Sequence, residues 1–156
     1  MNIEIKKATE SEWEDAMELA WRTFLQFEAP YYKKEGCENF LKFVSSEDMF
    51  KMFQIGEYLL YVAVCGEKIL GMGTMRGKGH ISLLFIDKDY HKKGIGTKIL
   101  RALQKEAEDR DGSVTLTVNS SPYGYEFYKR IGFIPSDSEK EEDGIIYTPM
   151  TCVKRI

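Results

Sequence analysis

At 156 residues, with a formal net charge of -3 and a pI near 5.5, the chain is long enough for one hydrophobic core and carries no basic footprint for nucleic acid. Nowhere do about eighteen apolar residues follow one another, so no membrane association is expected. Cys37, Cys65 and Cys152 are odd in number and lack CxxC or Cys/His spacing; they read as reduced thiols and argue against a disulfide framework and against zinc.

Ile3 and Ile5 alternate with Glu4 and Lys6 as a first strand, and no leader-like apolar run precedes Glu10, which makes a cytoplasmic location the expectation. Thr9 and Glu12 form a capping box ahead of a helix whose apolar stripe is Trp13, Ala16, Met17, Ala20, Trp21 and Phe24. That spacing is core, not a cofactor surface. Ala29-Pro30-Tyr31-Tyr32 breaks the helix, Phe40, Leu41, Phe43 and Val44 suggest a second, and Phe50, Met52 and Phe53 form a shorter apolar patch. From Tyr58 the period changes to that of strands: 58–65, a turn at Gly66-Glu67-Lys68, 69–75, a turn over 76–79, and 80–86.

The next stretch is the most informative. The run Ile81, Leu83, Leu84, Phe85, Ile86 stops at Asp87, and after a polar turn Gly94 and Gly96 open a helix with apolar residues at Ile95, Ile99, Leu103 and Ala107. The first helical amides, around Gly94, Ile95, Gly96 and Thr97, have no partner within the helix, so this turn favours an anion, and His91, Lys92 and Lys93 stand on the same side. The stretch contains no GxxxxGK[ST], and the dinucleotide pattern would need glycine at Ile99, while the other start, Gly71-Met72-Gly73, meets Arg76 where the third glycine belongs. P-loop and Rossmann readings therefore fail. Further on, Val114, Leu116 and Val118 make a strand that ends at Asn119. It returns through a helical crossover and so lies parallel to 80–86. Ser121-Pro122 reads as N-cap and first helical residue of a short helix carrying Phe127-Tyr128 and Gly132-Phe133. A charged loop over 137–144 leads to a last strand, 145–153, in which Pro149 predicts a late start or a bulge.

His91-Lys-Lys-Gly94-Ile-Gly96 resembles the [QR]xxGx[GA] element of the GNAT acetyltransferase superfamily, and Phe127-Tyr128-Lys-Arg-Ile-Gly132-Phe133 resembles its FYxxxGF element, in the right order and at the right distance. The resemblance covers roughly 57–153. It implies an α/β (α+β) chain with the GNAT fold: one domain over 1–156, built on a mixed, mostly antiparallel sheet of six to seven strands with flanking helices. Its fourth and fifth strands would be parallel and splayed. It implies acetyl-CoA as co-substrate, with no metal, and transfer of the acetyl group to a primary amine by direct attack. Residue by residue, backbone groups of Leu84, Phe85 and Ile86 would pair with pantetheine. The run His91, Lys92, Lys93, Gly94, Ile95, Gly96 and Thr97 would hold the pyrophosphate, Asn119 would contact the cofactor's arm, and Tyr128 would protonate the departing sulfur. His91 departs from the usual Gln or Arg, and Lys88 replaces the proline common after the fourth strand.

The acceptor is less legible. A lysine-like amine of pKa about 10.4 is neutral in about one molecule in 2,500 at pH 7, so such a substrate needs a base; an α-amine of pKa about 8 needs less help. Glu28, beside the helix break, and His80, at the start of the fourth strand, are the candidates, each with a plain structural alternative as a surface carboxylate and a strand-end imidazole. A small-molecule or peptidyl amine is the expected partner, and because such domains often pair, a homodimer is open. The other readings are an acyl-CoA-binding sensor without turnover and a transferase that uses a different acyl group.

Overall fold

The computed structural model describes residues 2–156. Strands β1 (Glu4–Lys7), β2 (Tyr58–Cys65), β3 (Lys68–Arg76), β4 (His80–Ile86), β5 (Leu116–Ser120), β6 (Ile134–Pro135), β7 (Lys140–Glu142) and β8 (Ile145–Cys152) form one sheet. Their order is β1-β2-β3-β4-β5-β8-β6, with β7 on β8. Every pairing is antiparallel except β4 with β5, which are joined by a crossover through α4 (Ile95–Asp111). Helices α1 (Trp13–Phe27), α2 (Lys34–Val44) and α3 (Glu47–Gln54) cover one face; α4 and α5 (Tyr125–Ile131) cover the other.

The strands alternate between these two cores because successive side chains point to opposite faces. Leu83 and Phe85 join α1 and α2, whereas Ile81, Leu84 and Ile86 join α4. In α1 the buried residues are Trp13, Ala16, Met17, Leu19, Ala20, Thr23 and Phe24. Trp21, predicted on that stripe, is half-buried and instead stacks at its rim on Phe24 and Phe40. The capping box forms as expected, with the Thr9 amide donating to Glu12 Oε1 at 2.8 Å, although a 3-10 turn precedes the α-helix.

Among the described residues eight strands replace the expected six to seven, because Ile134–Pro135, just before the charged loop, and Lys140–Glu142, within it, pair with β8 as β6 and β7. The fifth strand begins at Leu116 and not at Val114, whose carbonyl is taken by Gln104 Nε2 at 2.8 Å. β8 runs through Pro149 without a late start or a bulge. In an antiparallel strand a residue's N–H and C=O face the same neighbour. The Pro149 carbonyl accepts Ser136 N–H at 2.9 Å on the β6 side, so its missing donor falls at the sheet's margin and β5 loses nothing. The second short helix starts at Tyr125, after a turn in which Ser121 Oγ accepts the Gly124 amide at 3.0 Å, so Ser121-Pro122 is not its first turn.

Candidate active site

The feature that shapes the site is how little of β4 and β5 pair. They are in register only at His80 with Thr117 and Ile81 with Val118. Beyond Ile81, β4 stays laddered to β3 and β5 to β8, but nothing joins them to each other, which leaves a wedge-shaped gap in mid-sheet. The cause is local. Thr74 pairs with Leu83 and Met75 with Ile81, so Ser82 is an extra residue in β4, a bulge that bends the strand where the gap opens. Tyr58 Oη donates to Ser82 Oγ at 3.0 Å and lies 2.7 Å from Thr74 Oγ1, and the Tyr58 and Thr74 side chains are 2% and 0% exposed. A buried hydroxyl cluster therefore pins the bulge. Hydrophobic periodicity carries no trace of it; Tyr58, Thr74 and Ser82 each read as ordinary strand residues.

At the wide end of the gap lies the loop from β4 to α4. The buried Asp87 carboxylate accepts the Asp89 amide at 3.0 Å and Arg22 Nη1 at 3.1 Å, which ties the loop to α1. Burial pushes that carboxyl up, but these two donors outweigh it and hold it below the usual aspartate range. Lys92 has φ +60° and Gly94 φ +77°; a left-handed residue before α4 is where glycine costs least. The first bond of the helix runs from Lys98 N–H to the Gly94 carbonyl at 3.1 Å. The amides before Lys98 thus point into the loop, beside the exposed Lys92 and Lys93. Gly96 serves packing, since a Cβ there would stand 3.2 Å from Phe127 Cζ. His91 turns back on its own strand: Nε2 lies 2.8 Å from the Ile86 carbonyl, and the ring packs 5.0 Å from Phe27. Phe27 also stacks on Tyr123 at 5.0 Å, so the end of α1 bridges the loops that follow β4 and β5.

On the β5 side, Asn119 is exposed and Tyr128 is 7% exposed, packed edge-on against Phe127 and Phe133 at 5.2 Å each. Burial raises the Tyr128 phenol above its ordinary range, and the Glu28 carboxylate adds to the shift, so the hydroxyl keeps its proton at neutral pH. Glu28 itself follows the last turn of α1. Burial pushes its carboxyl up to about 7, although the hydroxyls of Ser121 and Tyr32 beside it pull it down. A carboxyl that titrates there is matched to proton transfer near pH 7. The fold brings Glu28, Tyr32, Ser121, Tyr123 and Tyr128 together from three stretches of the chain. His80 is not among them. It stands where β4 and β5 close, its Nδ1 2.8 Å from Thr117 Oγ1, and burial, with Arg76 nearby, lowers its pKa. In the sequence Tyr32 was legible only as part of a helix break and Ser121 as a helix N-cap, and Tyr123 carried no signal; a serine and tyrosines beside a carboxylate in space leave no spacing signal.

The gap suits a slender ligand that carries amides along β4 and a diphosphate at the start of α4. A sheet in which two parallel neighbours part midway, with a cationic, amide-lined turn at the open end, defines a protein with a ligand cleft inside its sheet. The family model described as an acetyltransferase (GNAT) domain matches residues 28–154, and the chain belongs to that family. An uncharacterised N-acetyltransferase of Methanocaldococcus jannaschii is 27% identical over 157 residues, covering 97% of this chain; the chain spans 66% of that relative's length. A GCN5-related N-acetyltransferase of Rhodopseudomonas palustris superposes with a TM-score of 0.83 at 21% identity, covering 99% of this chain and 97% of the other. PaiA N-acetyltransferase of Thermoplasma acidophilum, solved in complex with coenzyme A, superposes at 0.82 with 19% identity, covering 99% and 100%. At such identities the two structures speak for the fold. Among the described residues no helix is long and apolar enough to cross a membrane.

Proposed function

We propose that residues 1–156 act as a single acetyltransferase domain, which transfers the acetyl group of acetyl-CoA to a primary amine by direct attack. The observation that carries this reading is the parting of β4 from β5 beyond Ile81, with the free first amides of α4 in the loop that follows β4; the Glu28 carboxyl, raised to about 7, and the Tyr128 phenol, held protonated, supply the proton-transfer groups. When bound, acetyl-CoA supplies the acyl group as a thioester. Backbone groups of Leu84, Phe85 and Ile86 hold its pantetheine arm and offer an amide to the thioester oxygen, where negative charge develops. Lys92, Lys93 and the amides from Gly94, Ile95 and Gly96 to Thr97 hold the diphosphate, and Asn119 contacts the arm from β5. A neutral His91 has already used its one N–H on Ile86, so it fixes the strand end and offers Nδ1 to phosphate only as an imidazolium.

Glu28 takes one proton from the incoming ammonium; as the amine nitrogen bonds to the acyl carbon and the C–S bond breaks, Tyr128 gives its proton to the departing sulfur and is reprotonated by the second proton that the nitrogen sheds. With a midpoint near 7, Glu28 is about nine-tenths ionised at pH 8 and about one-tenth at pH 6, so activity rises across that interval. Incubation with acetyl-CoA and a panel of amines, followed by free-thiol release, tests the reading. Release on at least one amine is expected, reduced about 100-fold or more in Glu28→Gln and in Tyr128→Phe. Tight CoA binding without release on any amine would replace the transferase with a sensor, and unchanged rates in either variant would remove that residue's role.

A further inference from the structure

Between β4 and α4 the chain makes a single regular turn, the 3-10 turn Lys88–Tyr90, so the aim of the α4 amides depends on how Asp87 is held where the loop begins. Each polar group of Asp87 is engaged. Its N–H donates to the Leu70 carbonyl of β3 at 2.8 Å, and its carbonyl accepts the Tyr90 amide at 2.9 Å. One carboxylate oxygen accepts the Asp89 amide at 3.0 Å, and the other accepts Arg22 Nη1 at 3.1 Å. We infer that Arg22 is a positioning residue for the cofactor: carried by α1, it fixes Asp87 and, through it, the loop whose amides and lysines meet the diphosphate. This inference rests on the reading of that loop as the diphosphate site.

The Asp87 side chain is 7% exposed, and a carboxylate so placed stays with its donors, because leaving them strands a buried charge. Arg22 is itself steered from within α1, where its Nε lies 3.5 Å from Glu18 Oε1 one turn earlier, so the guanidinium spans from helix to loop. Lys68, a second cation near Asp87, sits over the Tyr90 ring at 5.3 Å and adds charge without a directed bond. At the far end of the segment, His91 Nε2 returns to the Ile86 carbonyl at 2.8 Å and its ring packs 5.0 Å from Phe27, so α1 meets the loop at a second point. The run from Asp87 to His91 is thus fastened to both the sheet and α1. The left-handed Lys92 and Gly94 lead straight from it into the first turn of α4.

Calorimetric titration of the whole chain with CoA, set beside NMR titration with pantetheine, which has the amide-bearing arm and no diphosphate, tests this. Arg22→Met keeps an apolar stem and removes the donor, and CoA should bind about tenfold more weakly, the worth of one hydrogen bond between charged groups. Asp87→Asn should lose about as much, and the double variant about tenfold, not about a hundredfold, because both substitutions break the same bond. Pantetheine affinity should stay within about twofold of the parent throughout, a split that general damage to the cleft does not give. Unchanged CoA affinity in Arg22→Met, additive losses in the double variant, or an equal loss for pantetheine overturns the inference. Where Arg22→Met does not fold, Asp87→Asn, which strands no charge, reads the same loss of CoA affinity, and its absence is equally fatal. A parent chain that takes up no CoA overturns the diphosphate reading itself and the role of Arg22 with it, a distinct failure.

Discussion

Glu28→Gln is expected to stabilise the protein at pH 8 while it removes activity. The folded carboxyl releases its proton at about 7, against a reference value of 4.5. Between those two values the folded chain binds a proton that the unfolded chain has lost, so stability falls as pH rises through the interval and levels off above it. At 1.36 kcal/mol per pH unit the interval corresponds to a loss of about 3 kcal/mol. Glutamine has no proton to lose, so the variant lacks this slope. Urea unfolding at pH 5 and pH 8 measures it. The variant should differ little from the parent at pH 5 and be more stable by about 3 kcal/mol at pH 8. A difference that stays the same at both pH values would refute the reasoning, because burial of the carboxyl would then cost nothing that depends on its charge.

The other predictions concern the frame of the site. Gly94→Ala places a side chain at φ +77° with nothing within 4 Å of its Cβ, so the cost is conformational, about 1 kcal/mol. If the loop relaxes to avoid it, the α4 amides turn away, and calorimetric titration should show CoA affinity reduced about fivefold. Tyr58→Phe leaves the Thr74 and Ser82 hydroxyls without their shared partner beneath the bulge. A thermal or urea melt should show a loss of about 1 to 3 kcal/mol, whereas an unchanged midpoint would mean the bulge does not depend on that cluster.

Much of the architecture was legible in the sequence because hydrophobic period and turn chemistry act locally. The capping box of Thr9 and Glu12, the β2–β3–β4 meander and the glycine-led start of α4 all follow from neighbouring residues. What was not legible depends on partners far along the chain. Val114 has strand character, yet its carbonyl goes to Gln104; Pro149 reads as a breaker, yet its missing donor falls on the β6 side. The residues around Gly94 could be located from the glycine-led helix start, and Tyr128 from its resemblance to the family's FYxxxGF element. That Glu28 lies beside Ser121 and Tyr128 could not, since its raised pKa comes from burial created by three separate stretches. Gly36 is another such case. A Cβ there would stand within clashing distance of the Gly144 carbonyl, because the β7–β8 hairpin rests on the start of α2, a contact between segments more than a hundred positions apart.

The bulge at Ser82 gives β4 a double character. It is an inner strand by position, yet from Ser82 to Ile86 the flank facing β5 has no ladder partner, as a border strand's outer flank would. Proteins usually shield such rows against foreign strands. Here β5 stands opposite the row, joined to β4 at His80 and Ile81 and laddered to β8 on its other side, so β4 has no free border. On the function proposed above, the amide-bearing arm of acetyl-CoA would lie along that row and complete the hydrogen-bond ladder that the sheet leaves unfinished.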